Sequence, residues 1–243
     1  MPKKPKYFFV FFLFLGIQLA YSQVNIQKVQ LADSLFQQKQ YTQALLQFEN
    51  VYNSTRFIAP QALLKMAFSA EATQDYVKAL YYLNLYYLLD PEMHLLQQME
   101  NLANQYRLHG YEYSDWKIIQ GFYQRYFNLI LLVITILGLT VVAYWITLNL
   151  QHKKVLVRHK IAFFALGVCI ALAVNLYKSE QFAIINQDHT YLMDAPSAGA
   201  NLLKVVEKGH RITVLATQDI WYKIYWNNQI AYIRKDRVLV VEL

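Results

Sequence analysis

Six histidines, one cysteine and sixteen carboxylates are the side chains from which a catalytic or metal centre would have to be built. Their spacing does not build one. His152 and His159 flank a basic stretch seven residues apart, as solvated charge partners would, and His94, His109, His189 and His210 are scattered. The seven glycines form neither GxGxxG nor GxxxxGK[ST], the patterns that bring backbone amides to a phosphate, and neither HExxH nor GxSxG occurs. Cys169 stands alone, so it makes no intramolecular disulfide or CxxC site, and an apolar surrounding makes it a poor nucleophile. No catalytic residue, metal or cofactor is expected, and what remains is non-covalent recognition. The side chains best suited to it are Trp221, Tyr222, Tyr225, Trp226 and Tyr232, whose ring faces fit a peptide or a cell-wall glycan. Alternation along a strand puts Trp221 and Tyr225 on one face, Tyr222 and Trp226 on the other, and one of the two pairs must belong to the core.

The elements that carry these rings follow from where the charge lies. The chain has 243 residues, 56% of them hydrophobic and 16% charged, with net charge +7. That is too apolar for an ordinary soluble protein. Residues 1–22 hold Lys3, Lys4 and Lys6 and no acid, and residues 126–160 hold Lys153, Lys154, Arg158 and Lys160 and no acid. The two longer stretches, 23–125 and 161–243, are almost neutral, with eight bases against nine acids and eight against seven. The basic excess therefore marks membrane targeting and topology rather than a nucleic-acid-binding face. Lys3 to Lys6, an apolar run over 7–19 and small residues at Ala20 and Ser22 describe a secretory signal peptide cut after Ser22. No cysteine follows the run, so a lipoprotein is not expected, and residue 23 onward is exported.

Residues 23–115 read as a helical repeat region. Leu31-Ala32-xx-Leu35 precedes Tyr41-xx-Ala44-xxx-Phe48-xx-Val51, and thirty-five residues later Met66-Ala67-xx-Ala70 precedes Tyr76-xx-Ala79-xxx-Leu83-xx-Tyr86. Ala32, Ala44, Ala67 and Ala79 fall where two helices approach closely, and residues 92–107 repeat the first-helix pattern as a cap. The spacing resembles the tetratricopeptide (TPR) repeat, with Lys39 in place of a turn glycine and no Trp-xx-Leu-Gly start. In that register Asp33, Phe36, Gln37, Leu64, Lys65, Phe68 and Glu71 line a concave face fit for a partner segment, although Phe36 and Phe68 suit core packing equally well.

Residues 116–179 are expected to form a transmembrane hairpin. The uncharged run 127–150 is 24 residues, about 36 Å as a helix, and 161–177 is 17 residues, about 25 Å. Trp116, Tyr123 and Tyr126, then Tyr144 and Trp145, suit aromatic belts at the two interfaces. Lys153, Lys154, Arg158 and Lys160 between the runs predict a cytoplasmic loop, which puts both flanking segments outside. Neither run contains Asp, Glu, Lys, Arg or His, which argues against a channel or pump.

From 180 to 243 the pattern turns to short strands, expected at 182–185, 211–215, 221–226, 230–234 and 238–241. Met193-Asp194-Ala195-Pro196-Ser197, Lys208-Gly209, Trp221-Tyr222-Lys223-Ile224 and Ala231-Tyr232-Ile233 follow the order seen in bacterial SH3 domains. Ala231-Tyr232 stands for the usual Gly-Trp and Asn227-Asn228 for Asp-Gly. The expected fold is thus multidomain: TPR-like helices, a two-helix membrane hairpin and a small all-β SH3-like barrel. This order resembles the TPR/SH3 component (BatE type) of the Bacteroides aerotolerance (Bat) proteins. The resemblance implies a non-enzymatic scaffold of the bacterial inner membrane, two-pass with both domains periplasmic, beside von Willebrand A-domain partners. The other reading of the residues is a sensor that binds peptidoglycan through the SH3-like aromatics.

Overall fold

The computed structural model describes residues 27–55, 59–112, 115–151, 161, 163–165, 167–168, 170–171 and 181–242. The expected signal segment, the basic loop with Lys153, Lys154, Arg158 and Lys160, and most of the second apolar run lie outside them.

Among the described residues five helices precede the long apolar one: α1 (residues 27–37), α2 (Tyr41–Thr55), α3 (Pro60–Ala72), α4 (Tyr76–Leu89) and α5 (Met93–Gln105). Three-residue turns at 38–40, 73–75 and 90–92 fold successive helices back on one another. Pro60 opens α3 at a position where its missing amide costs nothing, and the Asp75 carboxylate accepts from the Lys78 amide to cap α4.

α1, α3 and α5 end in the same way. Lys39, Gln74 and Arg107 adopt φ of 61°, 62° and 54°, the left-handed region. At each, the next amide reaches back five residues, Gln40 to Leu35, Asp75 to Ala70 and Leu108 to Ala103, at 2.8–2.9 Å. The left-handed residue's own amide reaches back three, to Phe36, Glu71 and Asn104. This is the Schellman closure, which satisfies carbonyls that a helix end leaves open. Side-chain packing between the helices is led by alanines that are fully or almost fully buried, Ala32, Ala44, Ala67, Ala70 and Ala79, with Phe48, Leu80 and Leu83 between them.

α6 (Asp115–Leu150) is one continuous helix of 36 residues. Among the described residues it is the one helix long and apolar enough to cross a membrane, over Arg125–Leu148, and its most apolar window is unburied. The two-helix hairpin expected from the sequence is therefore seen only as this first helix. Of the second run, residues 161, 163–165, 167–168 and 170–171 are helical, and the Phe163 ring lies 5.0 Å from that of Trp145 on α6.

The C-terminal part is a seven-stranded antiparallel sheet, in the order β3-β2-β6-β5-β4-β1-β7. Its strands are β1 (Gln181–Ile185), β2 (Thr190–Met193), β3 (Leu202–Val206), β4 (Arg211–Gln218), β5 (Trp221–Trp226), β6 (Gln229–Arg234) and β7 (Val238–Val241). β2 and β3 come in addition to the five expected strands, in a long excursion between β1 and β4. A 3-10 turn, Lys235–Arg237, joins β6 to β7.

β1 is buried on both sides. Ala183 and Ile185 enter the sheet's own core with Leu192, Ile212, Ile224, Ala231 and Ile233. Ile184 joins the helical core instead, together with Val241, and Phe182 and Leu239 pack against it. Period-two alternation in β1 and β7 thus serves two cores at once. The helical array and the sheet, far apart in sequence, form one body.

Candidate functional site

The seam between the two parts is built from short segments that follow α5 and precede β4. The Arg211 amide donates to the His109 carbonyl at 3.0 Å, and the His109 amide donates to His210 Nδ1 at 2.9 Å. Tyr111 donates its hydroxyl to the Gly209 carbonyl at 2.9 Å. Arg211, only 5% exposed, donates Nε to the Gly110 carbonyl (2.7 Å) and Nη1 to Asn84 Oδ1 on α4 (3.1 Å). Its guanidinium lies 4.8 Å from the ring centres of both Tyr111 and Phe182, a cation sandwiched between aromatic faces. Gly110 (φ +93°) permits this approach, since a Cβ there would stand 2.1 Å from the Arg211 carbonyl oxygen. The His109 and His210 rings stack at 5.3 Å, with the Trp226 ring edge-on to both. Burial and the neighbouring His109 and Lys204 push the His210 imidazole below its ordinary range.

On the sheet lies a cavity of about 420 Å³ lined by Asp188, His189, Thr190, Tyr191, Met193, Ala198, Trp221, Arg234 and Arg237. Its walls are the excursion between β1 and β3 on one side and the 3-10 turn on the other. Arg234 grips Asp236 with two bonds, Nε to Oδ1 at 3.1 Å and Nη2 to Oδ2 at 2.9 Å, and Arg237 shares the same carboxylate at 3.9 Å while bonding Gln187. Opposite them, Lys208 holds Asp188 at 2.9 Å, and that bond keeps the Asp188 carboxyl below its usual range. Two guanidiniums share one acid beside an indole. The cavity therefore sets the exposed Tyr191 ring and the largely buried Trp221 indole beside two guanidiniums that one carboxylate only half balances, a net positive rim suited to a peptide-like ligand bearing a carboxylate.

Of the five aromatics singled out in sequence, the structure brings only Trp221 to this cavity. Tyr222 and Trp226 face the sheet core, Trp226 being 5% exposed. Tyr225 is exposed on the outer face, away from the cavity lining, and Tyr232 is half-buried. Sequence reasoning missed Thr190, Tyr191, Met193, Arg234 and Arg237, which reach the cavity from three separate segments. The Pro-Ser turn was the available signal, since it marks the excursion whose Ala198 forms part of the wall.

On the helical array, Asp33 and Lys65 meet as an ion pair at 2.6 Å. Phe36, Tyr41 and Phe68 form a three-ring cluster with centroids 5.4–5.7 Å apart, and Phe68 is half exposed. Leu64 packs partly against the core, and Gln37 is exposed. Glu71 lines a shallower polar hollow of about 320 Å³ with His94, Gln97, Gln98, Asn101, Leu102 and Gln105 of α5. Asp33, Lys65, Phe36 and Phe68 are thus brought together, and Glu71 continues the same face toward α5. Among the described residues no group of three or more His, Cys, Asp or Glu is placed to hold a metal ion.

No curated protein and no solved structure matches the chain. Residues 190–238, from β2 to the start of β7 and including most of the cavity lining, match the family described as the bacterial SH3 domain.

Proposed function

We propose that this chain is a non-enzymatic adaptor, anchored in the bacterial inner membrane by a two-helix hairpin, that presents a TPR-like helical array and its SH3 domain as a single binding body on the periplasmic side. The observation that carries the reading is the shared core. Ile184 and Val241 of the sheet pack among the helices although α6 intervenes in sequence. Two parts sealed by Arg211 and Tyr111 cannot lie on opposite sides of a bilayer. If α6 crosses, the chain has to cross back before β1. The Trp145–Phe163 ring contact supports a return along the same helix. The basic residues between the runs and the N-terminal export signal favour the periplasmic orientation.

In this reading the Phe36–Tyr41–Phe68 face holds one partner segment and the Trp221 cavity holds another. Joining them in one body fixes their separation, so a shared complex gains effective concentration without linker entropy. The partners fitting the resemblance are membrane proteins of one envelope complex, von Willebrand A-domain proteins among them. The test is quantitative recovery of co-purifying membrane proteins from detergent extracts. Phe68→Ala and Trp221→Ala should each lose a different stoichiometric partner, and retention of all partners by both variants would overturn the adaptor reading. A second reading is favoured by the cavity itself, because its indole and two arginines also suit the carboxylate-bearing stem peptide of peptidoglycan. Sedimentation of the full chain with purified peptidoglycan, abolished by Trp221→Ala, would establish that reading.

A further inference from the structure

We infer that one end of the helical array, formed by the α4–α5 turn and the first turns of α6, is seated in the headgroup region of the bilayer, so that the binding body stands on the lipid surface in a fixed orientation. The inference rests on the reading of Arg125–Leu148 as a membrane span.

The joint between α6 and the array is a packed one. α6 does not leave the array through a flexible linker, because its first turns pack against the end of α4. Gly121 is buried so closely against Tyr87 that a Cβ would stand 2.2 Å from the tyrosine oxygen, and 3.9 Å from Pro91. One turn later Arg125 lies 3.4 Å from Asp90 and 3.8 Å from Glu92, and it donates to the Pro91 carbonyl at 3.4 Å. Arg125 is also the first residue of the apolar span. The turn 90–92 is therefore held level with the point where the helix enters the bilayer.

This level exposes large apolar side chains beside its charged ones. Leu89 and Met93, on either side of the turn, are 40% and 50% exposed. On α6, Ile119 and Phe122 are 56% and 64% exposed, with Tyr126 4.5 Å from Phe122. Spacings of three and four place these three on one stripe of the helix, turned away from Gly121 and bordered by Arg125. At 1.5 Å per residue Phe122 stands about 4.5 Å, and Ile119 about 9 Å, outside Arg125. The headgroup layer is about 5–8 Å thick on each side of the hydrocarbon. Phe122, Leu89 and Met93 thus fall within it, and Ile119 at its outer edge. The acids at this level are engaged rather than bare: Arg125 stands beside both Asp90 and Glu92, and Glu92 also meets His94 Nδ1 at 3.0 Å. Apolar side chains among paired polar and charged groups at headgroup depth are what an interfacial surface requires.

The experiment uses the full chain in liposomes, with Cys169→Ala as background and one environment-sensitive fluorophore at a time on L89C, M93C, A72C or I136C. Nitroxide-bearing lipids with the quencher at headgroup or at mid-chain depth report position. Labels at 89 and 93 should lose about twofold in intensity with the headgroup quencher, the depth expected of an interfacial face. The label at 72, at the far end of α3, should be unchanged. The label at 136 should respond to the mid-chain quencher. A response at 136 with labels at 89 and 93 as unaffected as 72 would overturn the inference and leave the span standing. No response at 136 would overturn the span and the inference with it.

Discussion

Arg211 is where the two folded parts depend on a single side chain. Its charge is buried between Tyr111 and Phe182, with an amide and a carbonyl as acceptors. Truncation leaves Asn84 Oδ1 and the Gly110 carbonyl without a donor and opens a void between two rings. Arg211→Ala should lower unfolding free energy by about 2–4 kcal/mol, read from denaturant unfolding of the detergent-solubilised chain. Beside it, His210 accepts from the His109 amide through Nδ1, so the seam needs that nitrogen unprotonated. Burial, His109 and Lys204 lower its pKa, opposed only by Glu207. A histidine with a lowered folded-state pKa binds its proton more readily when unfolded. Its contribution is complete above the ordinary value of about 6.5 and is lost as pH falls below that value. Melting temperature should therefore drop on acidification from pH 7.5 to 5.5, and His210→Gln should flatten the decline. An equal slope in both proteins would exclude His210 as its source.

Among the elements, the recurring closure of α1, α3 and α5 explains how the antiparallel helices turn without glycines. Lys39 and Gln74 hold left-handed backbone at some cost, and each is exposed. Lys39→Gly or Gln74→Gly relieves about 1–2 kcal/mol of steric strain and loses about 0.5–1 kcal/mol to chain entropy. Each should therefore stabilise by about 0.5–1 kcal/mol, raising the denaturation midpoint. A decrease would show that the lysine or glutamine side chain contributes contacts of its own. The helix pattern was legible because alanines and large apolar residues recur at helical spacing. β2 and β3 were not legible. β3 (Leu202–Val206) is exposed at four of its five positions, and β2 (Thr190–Met193) is only four residues long, so neither shows sustained alternation. The cavity was legible at Trp221 alone, since Arg234 at the end of β6 and Arg237 in the 3-10 turn line it with Tyr191 of β2 only once the strands are paired.

At the scale of the whole molecule, charge distribution and apolar length were readable directly, but the union of array and sheet was not. Gly110 meets Arg211 across about a hundred residues, and no local pattern records such a contact. One signal was present in retrospect. Phe182-Ala183-Ile184-Ile185 and Val238-Leu239-Val240-Val241 are continuous apolar runs rather than alternating ones, the mark of strands covered on both faces. That union makes topology the central claim, and labelling with a membrane-impermeant thiol reagent tests it most directly. Single cysteines at Ala72 on the array, Leu156 between the apolar runs and Gln218 at the end of β4, in a Cys169→Ala background, give the three positions. The account predicts that 72 and 218 label from the periplasmic side of intact inner-membrane vesicles and 156 only from the cytoplasmic side. Labelling of 72 and 218 from opposite sides, or of all three from one, would contradict it.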